Sequence, residues 1–171
     1  MGRKHPTVIT HLEMLEAPAR SVPRPSANLA IIRALMPPIH FYRYLYDTVG
    51  AHHVWVQRRR MDDAALRSII QAQGVEIYVL HVDGCPAGFS ELDFRESPEA
   101  DLAYFGLIPE FTGRGLGSFF LAETVHIAWS RDIRRLTVQT CTLDHPAALP
   151  LYQRTGFSPY ARSEDVLEEI D

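Results

Sequence analysis

Tyr104 to Phe120 reads YFGLIPEFTGRGLGSFF. The segment passes from strand-like residues through Pro109 to three glycines at alternate positions, Gly113, Gly115 and Gly117, and then into an apolar helical pattern. A strand that delivers bare backbone to a helix start gathers unpaired N–H groups at the positive end of the helix dipole. That is an anion site, most naturally for phosphate. Neither common nucleotide fingerprint fits. Counted from Gly113 or from Gly115, the third glycine of G-x-G-x-x-G falls on Ser118 or Phe120, and no Gly-Lys-Ser/Thr ending follows. A tight loop whose glycines only turn the chain is the competing reading.

Downstream, Phe120, Leu121, Val125, Ala128 and Trp129 recur at helical spacing over about four turns. RLTVQTCTL returns to strand, and PAALPLYQRTGF reads as a short helix closed by Gly156. Pro150 distorts the first turn of that helix if it starts at Pro146, because proline has no N–H. A last strand follows Phe157, and the acidic end SEDVLEEID reads as a solvated tail or a final helical turn.

Upstream, alternation over Val75–Val82 and Ala87–Phe94, joined at Asp83-Gly84, predicts a hairpin, and a further strand runs from Asp101 to Leu107. PPIHFYRYLYDTVG and MDDAALRSIIQAQG predict two helices, the second capped by Asp62 and stopped by Gly74. Thr7–Met14 is a strand candidate, a proline-rich loop follows, and Leu29–Ala34 is apolar but of ambiguous type. Antiparallel hairpins followed by a strand-helix-strand crossover predict an α+β or mixed α/β fold. Its central sheet is mixed and mostly antiparallel, with helices on both faces.

The chain has 171 residues, enough for one core, so residues 1–171 are expected to form a single domain. A net charge of -4 argues against broad capture of nucleic acid, and the run Arg58, Arg59, Arg60 reads as a solvated face. No apolar segment has signal-peptide or membrane-spanning character, so a cytoplasmic location without membrane attachment is expected. Two cysteines, Cys85 and Cys141, are too few for a disulfide framework. Eight histidines raise the question of a metal, but none lies at a helical ligand spacing, so none is expected.

The strand, Pro109 and glycine turn, followed by LTVQTCTLDHPAALPLYQRTGF with Tyr152, Gly156 and Phe157, resemble the GNAT superfamily of N-acetyltransferases. The resemblance covers about Val75 to Phe157. It implies a GNAT-like fold with acetyl-CoA as cosubstrate. The strand end at Phe105, Gly106 and Leu107 would splay from its neighbour and hydrogen-bond the pantetheine arm. The N–H groups of Thr112, Gly113, Arg114, Gly115, Leu116, Gly117 and Ser118 would hold the pyrophosphate, and His145 and Ala148 would contact the arm. Two positions depart from the family's habit: Thr112 stands where Gln or Arg is usual, and His145 where Asn is common.

Acetyl transfer to an amine requires the amine neutral, so a base or water relay must take a proton, and the departing thiolate needs a donor. By resemblance Tyr152 is that donor. Asp101, at a position where some relatives carry a catalytic glutamate, and Glu91 are the rival bases. Cys141 lacks an evident histidine partner, so direct attack by the amine is preferred over an acetyl-cysteine intermediate. Aromatic residues Phe41, Tyr42, Tyr44, Tyr46 and Trp55 could help form the acceptor side, with Asp47, Asp93 and Glu91 attracting its cation. The expected partners are acetyl-CoA and an amine acceptor, with a homodimer possible through a sheet edge. Two alternatives stand beside the enzyme: a non-catalytic acyl-CoA-binding regulatory module, and a phosphate loop for another ligand such as a nucleotide.

Overall fold

The computed structural model describes residues 2–170; Met1 and Asp171, the outermost positions of the single-domain and acidic-end readings, lie outside the described residues. Seven strands form one sheet: β1 Lys4–Met14, β2 Leu29–Arg33, β3 Val75–Val82, β4 Cys85–Asp93, β5 Glu99–Leu107, β6 Arg135–Cys141 and β7 Ser158–Glu168. Their order is β2-β3-β4-β5-β6-β1-β7, and only β5 and β6 run parallel. Helices α1 Ile39–Val49, α2 Asp63–Ile70, α3 Leu116–Trp129 and α4 Ala148–Thr155 complete the expected mixed fold.

Strand alternation sorts the core. In β3, Ile77 and Val79 pack with Tyr42, Leu45 and Leu66 of α1 and α2. The intervening Tyr78 and Leu80 face the opposite side, with Leu121 and Phe120 of α3 in their clusters. Both faces of β3 are covered, which is why its sequence is nearly continuous apolar residue. Asp62 caps α2 as expected, its Oδ1 accepting the Ala65 N–H at 2.7 Å. The Asp83-Gly84 turn has positive φ at both positions, 51° and 81°, matching the twist a tight hairpin requires.

Three readings change, and one strand that had no assigned place acquires one. The ambiguous run Leu29–Ala34 resolves as strand over Leu29–Arg33 because it pairs antiparallel with β3, Leu29↔Val82 through Arg33↔Tyr78. The strand expected after Phe157 is β7, and it takes in the acidic end as far as Glu168, which is therefore neither tail nor helix there: Ser158–Glu168 pairs with β1, which outweighs the poor strand preference of its Glu and Asp residues. Helix α4 starts at Ala148, not Pro146, so Pro150 lies in the first turn, where no intrahelical N–H bond is needed and no distortion follows. The N-terminal strand β1 inserts between β6 and β7, placing Leu12 and Met14 in the core below α3 and α4.

The sheet opens at one place. β5 and β6 pair only from Glu99↔Arg135 to Leu102↔Val138. At that point β5 carries an extra residue, Ala103, since Leu92 pairs with Leu102 and the adjacent Glu91 with Tyr104. Beyond the bulge β5 follows β4 to Leu107, while β6 pairs with β1, Ile9↔Cys141. The β6-facing edge of Ala103–Leu107 is left without a strand partner.

Candidate active site

A cavity of about 770 Å³ occupies this opening. On one side it is lined by Phe105, Gly106, Leu107, Thr112, Gly113, Gly115, Gly117 and Ser118, and by Ala148 and Tyr152 of α4. Gly113 and Gly115 have φ of +75° and +74°, and an added Cβ at either would meet nothing within 4 Å. Left-handed backbone, not crowding by protein, therefore requires glycine here. Gly115 is the N-cap of α3, and no side chain caps the helix. The first N–H groups of α3 thus begin beside the cavity without a side-chain acceptor of their own. Gly106 has a different cause: a Cβ would come within 2.4 Å of Val49 Cγ1, so glycine permits α1 to approach β5.

Tyr152 is 6 % exposed, packs edge-on against Phe105 and Phe157, and lines the cavity. Burial raises its phenol well above the ordinary tyrosine range, and the Asp144 and Asp101 carboxylates raise it further. It stays protonated at neutral pH. His145 also lines the cavity; its Nδ1 accepts the Ala147 N–H at 3.1 Å, so a neutral ring carries its proton on Nε2 and can donate from there. Thr112 reaches the lining, but its hydroxyl donates to Pro109 O at 2.8 Å within its own turn. Arg114 and Leu116 are not among the lining residues. Arg114 is exposed over the Phe111 ring, and Leu116 is buried in the core beside Phe119 and Phe120.

The other side is built by the loop after α1 and by strand faces of β5, β6, β1 and β7. His52, His53, Trp55, Gln57, Tyr104, Gln139, Cys141, Asp144 and Asp165 contribute. Asp144 ties this side together: Oδ2 accepts from Thr140 Oγ1 at 2.7 Å and Cys141 N at 2.9 Å, while Oδ1 accepts from Trp55 Nε1 at 3.3 Å. His53 Nδ1 lies 3.1 Å from the Leu143 carbonyl. A carbonyl only accepts, so Nδ1 carries the proton and Nε2 of the neutral ring holds a lone pair.

Neither sequence-predicted base lines the cavity. Glu91 is 1 % exposed, and its two oxygens accept from Tyr42 Oη at 2.5 Å and Arg58 Nη2 at 2.7 Å. It is held inside the protein. Arg58, expected on a solvated face, is instead mostly buried with its guanidinium 5.2 Å from the centre of the Tyr104 ring. Burial disfavours its charge, but Glu91, Tyr42 and Tyr104 together outweigh that and raise its pKa above the ordinary arginine value. The pair supports Tyr104 from behind. Asp101 lies outside the lining, accepting from Thr137 Oγ1 at 2.7 Å. Its residue surface is exposed, yet protein crowds the carboxyl and raises its pKa, opposed by the Thr137 bond and reinforced by Asp93 and Glu91.

Asp47 and Asp93, expected to attract a cation, are engaged by Arg59 at 2.6 Å and Arg95 at 2.7 Å. The residues missed in the sequence are His53, Asp144 and Asp165; of the aromatic residues named there for the acceptor side, Trp55 is in the lining. Adjacent histidines within an aromatic segment were the one local signal for this group; Asp165 had none, because its position depends on β7 pairing with β1.

Residues 39–157 match the model of the acetyltransferase (GNAT) family. The chain belongs to that family. A Bacillus subtilis (strain 168) protein, described as a candidate ribosomal protein bS18-alanine N-acetyltransferase, is 25% identical over 97 residues, covering 57% of this chain and 63% of that protein. The chain thus spans less than two thirds of that relative. Among solved structures, a GCN5-related N-acetyltransferase from Sphaerobacter thermophilus superposes with a TM-score of 0.64 at 17% identity, over 98% of this chain and 55% of the other. The aminoglycoside N-acetyltransferase AAC(6')-Iy in complex with CoA gives 0.57 at 22% identity, over 80% and 91%. At these identities the structural likeness establishes the fold.

Proposed function

We propose that residues 1–171 act as one acetyl-CoA-dependent N-acetyltransferase domain, passing the acetyl group to a primary amine of a small molecule, peptide or protein by direct attack. One observation carries this reading. The glycine turn at the start of α3, the unpaired edge of β5 and the buried Tyr152 line a single cavity. A pyrophosphate, an amide-rich pantetheine arm and a thioester sulfur each find a chemical match there. The glycine turn offers N–H groups and a helix dipole to the anion. The edge of Ala103–Leu107 pairs with the arm as an added strand would, and His145 Nε2–H donates to it.

In this reading the amine nitrogen attacks the thioester carbon, and a backbone N–H of the splayed β5 stabilises the oxyanion. As the C–S bond breaks, the electron pair leaves with sulfur and Tyr152 supplies the proton. Nε2 of His53 takes the proton lost by the amine. His53 is preferred to Asp101 and Glu91 because it lines the cavity with a lone pair free. Trp55 and Tyr104 offer aromatic faces and Asp165 a carboxylate, which suits a partly apolar amine that arrives as a cation.

The test is thiol release from acetyl-CoA across a panel of amines, polyamines and peptides, together with calorimetric CoA binding. His53→Gln should lower kcat/KM by about 10²-fold, with CoA affinity unchanged. CoA binding without turnover on the whole panel would instead favour a non-catalytic acyl-CoA-binding module.

A further inference from the structure

β7 is the last strand of the sheet, bonded to β1 on one side only. Nine of its eleven residues are exposed. A long exposed edge offers a row of N–H and C=O groups to another strand, and such edges are usually interrupted or covered. Pro159 interrupts this one near its start, a bulge lies at Tyr160, where β1 partners step from Ala161 to Pro159, and toward its end Asp165 Oδ1 accepts the Val166 N–H and Arg60 donates to the Glu168 carbonyl, so the open stretch is Ala161–Asp165.

The charges on the strand select what can pair with it. Arg162 and Glu164 lie two residues apart and share a face, with uncharged Thr10 and Val8 as their neighbours on β1. Neither forms an ion pair among the described residues. Consider a second copy placed antiparallel about a two-fold axis perpendicular to the sheet. Paired residues must share a face, so the axis passes through a residue position. An axis at Arg162, Glu164 or Asp165 sets identical charges against each other, which is unfavourable. An axis at Ala161 runs through the bulge and leaves the far end unpaired. An axis at Ser163, the midpoint of Ser158–Glu168, pairs Ala161–Asp165, the stretch between the bulge and the Val166 N–H that Asp165 Oδ1 holds. It sets Arg162 opposite the partner's Glu164, twice by symmetry, and Ala161 opposite the partner's Asp165. On the same face as these charges, Val8 and Val166 are 37% and 54% exposed and add apolar surface beside the pair.

We propose that this edge binds a second copy of the chain, β7 against β7 about Ser163, joining the two sheets into one. Asp165 and Leu167 lie on this strand and line the cavity, so the pairing also braces that wall. The proposal does not depend on the catalytic reading.

Sedimentation over a range of concentrations tests it. The chain should sediment at twice its 19.4 kDa mass, Arg162→Glu and Glu164→Arg should each give the monomer, and the double exchange should restore the dimer. Circular dichroism and thermal melting establish that each variant is folded. As a measurement independent of the variants, the outward-facing amides of β7 should lose hydrogen-exchange protection on dilution. A wild-type monomer at every concentration, a dimer indifferent to single reversals, or a folded double variant that stays monomeric would each overturn the proposal.

Discussion

The two sides of the cavity are made from different materials. The side along α3 and β5 is mainly backbone: left-handed glycines, an uncapped helix start and a strand edge without a neighbour. The side beneath the loop after α1 is mainly side chain: Trp55 held by Asp144, Tyr104 backed by the buried Arg58–Glu91 pair, and His53 turned by the Leu143 carbonyl. In the proposed function the backbone side would recognise what every cosubstrate molecule shares, a phosphate and a row of amides. A side-chain site depends on the residues chosen and can be refitted to another amine while the first side stays unchanged.

Separating these two sides by mutation should give effects of decreasing size. Arg58→Met leaves a carboxylate buried beside Tyr42 alone and should cost about 3–5 kcal/mol of stability, read as a large drop in the denaturant midpoint. Arg58→Met with Glu91→Leu should recover most of it, while a double variant as unstable as the single would show that packing, not charge, was lost. Tyr152→Phe keeps the ring between Phe105 and Phe157, so CoA affinity should hold while kcat falls about 10²-fold, equivalent to ~2.7 kcal/mol of barrier. An unchanged kcat would remove Tyr152 from the chemistry.

Gly115→Val has room for its side chain but not a suitable φ, so it should lower stability by about 1–2 kcal/mol and weaken CoA binding with it. If binding were unaffected, the turn would serve the fold alone. The smallest effect belongs to Asp101→Asn. The folded protein raises the Asp101 pKa, so it favours the protonated form, and stability is lost as pH rises through the carboxylate range. Asparagine removes that loss. The melting temperature should therefore rise slightly at neutral pH and match wild type in acid, and a fall at neutral pH would indicate that the charge supports the fold.

Much of the backbone side could be read in advance because its signals are local. A positive φ asks for glycine, a helix start asks for a cap or an anion, and both requirements lie within Thr112 to Ser118. The strand-helix-strand order around them is equally local, and Tyr152, Gly156 and Phe157 fall at a fixed spacing after it. Glu91 shows where such reading stops. Its alternating strand pattern was legible, but not that Arg58, thirty-three residues away, would enter the protein to meet it.

Sequence alone thus determined the hairpin, the crossover and the glycine turn, together with the family they resemble, because each depends on residues a few positions apart. Tertiary structure decided that Lys4–Met14 lies between β6 and β7, that the acidic end is a strand, and which carboxylates are already paired. Those outcomes depend on contacts between distant segments, where pairing partners and burial compete with local preference and prevail.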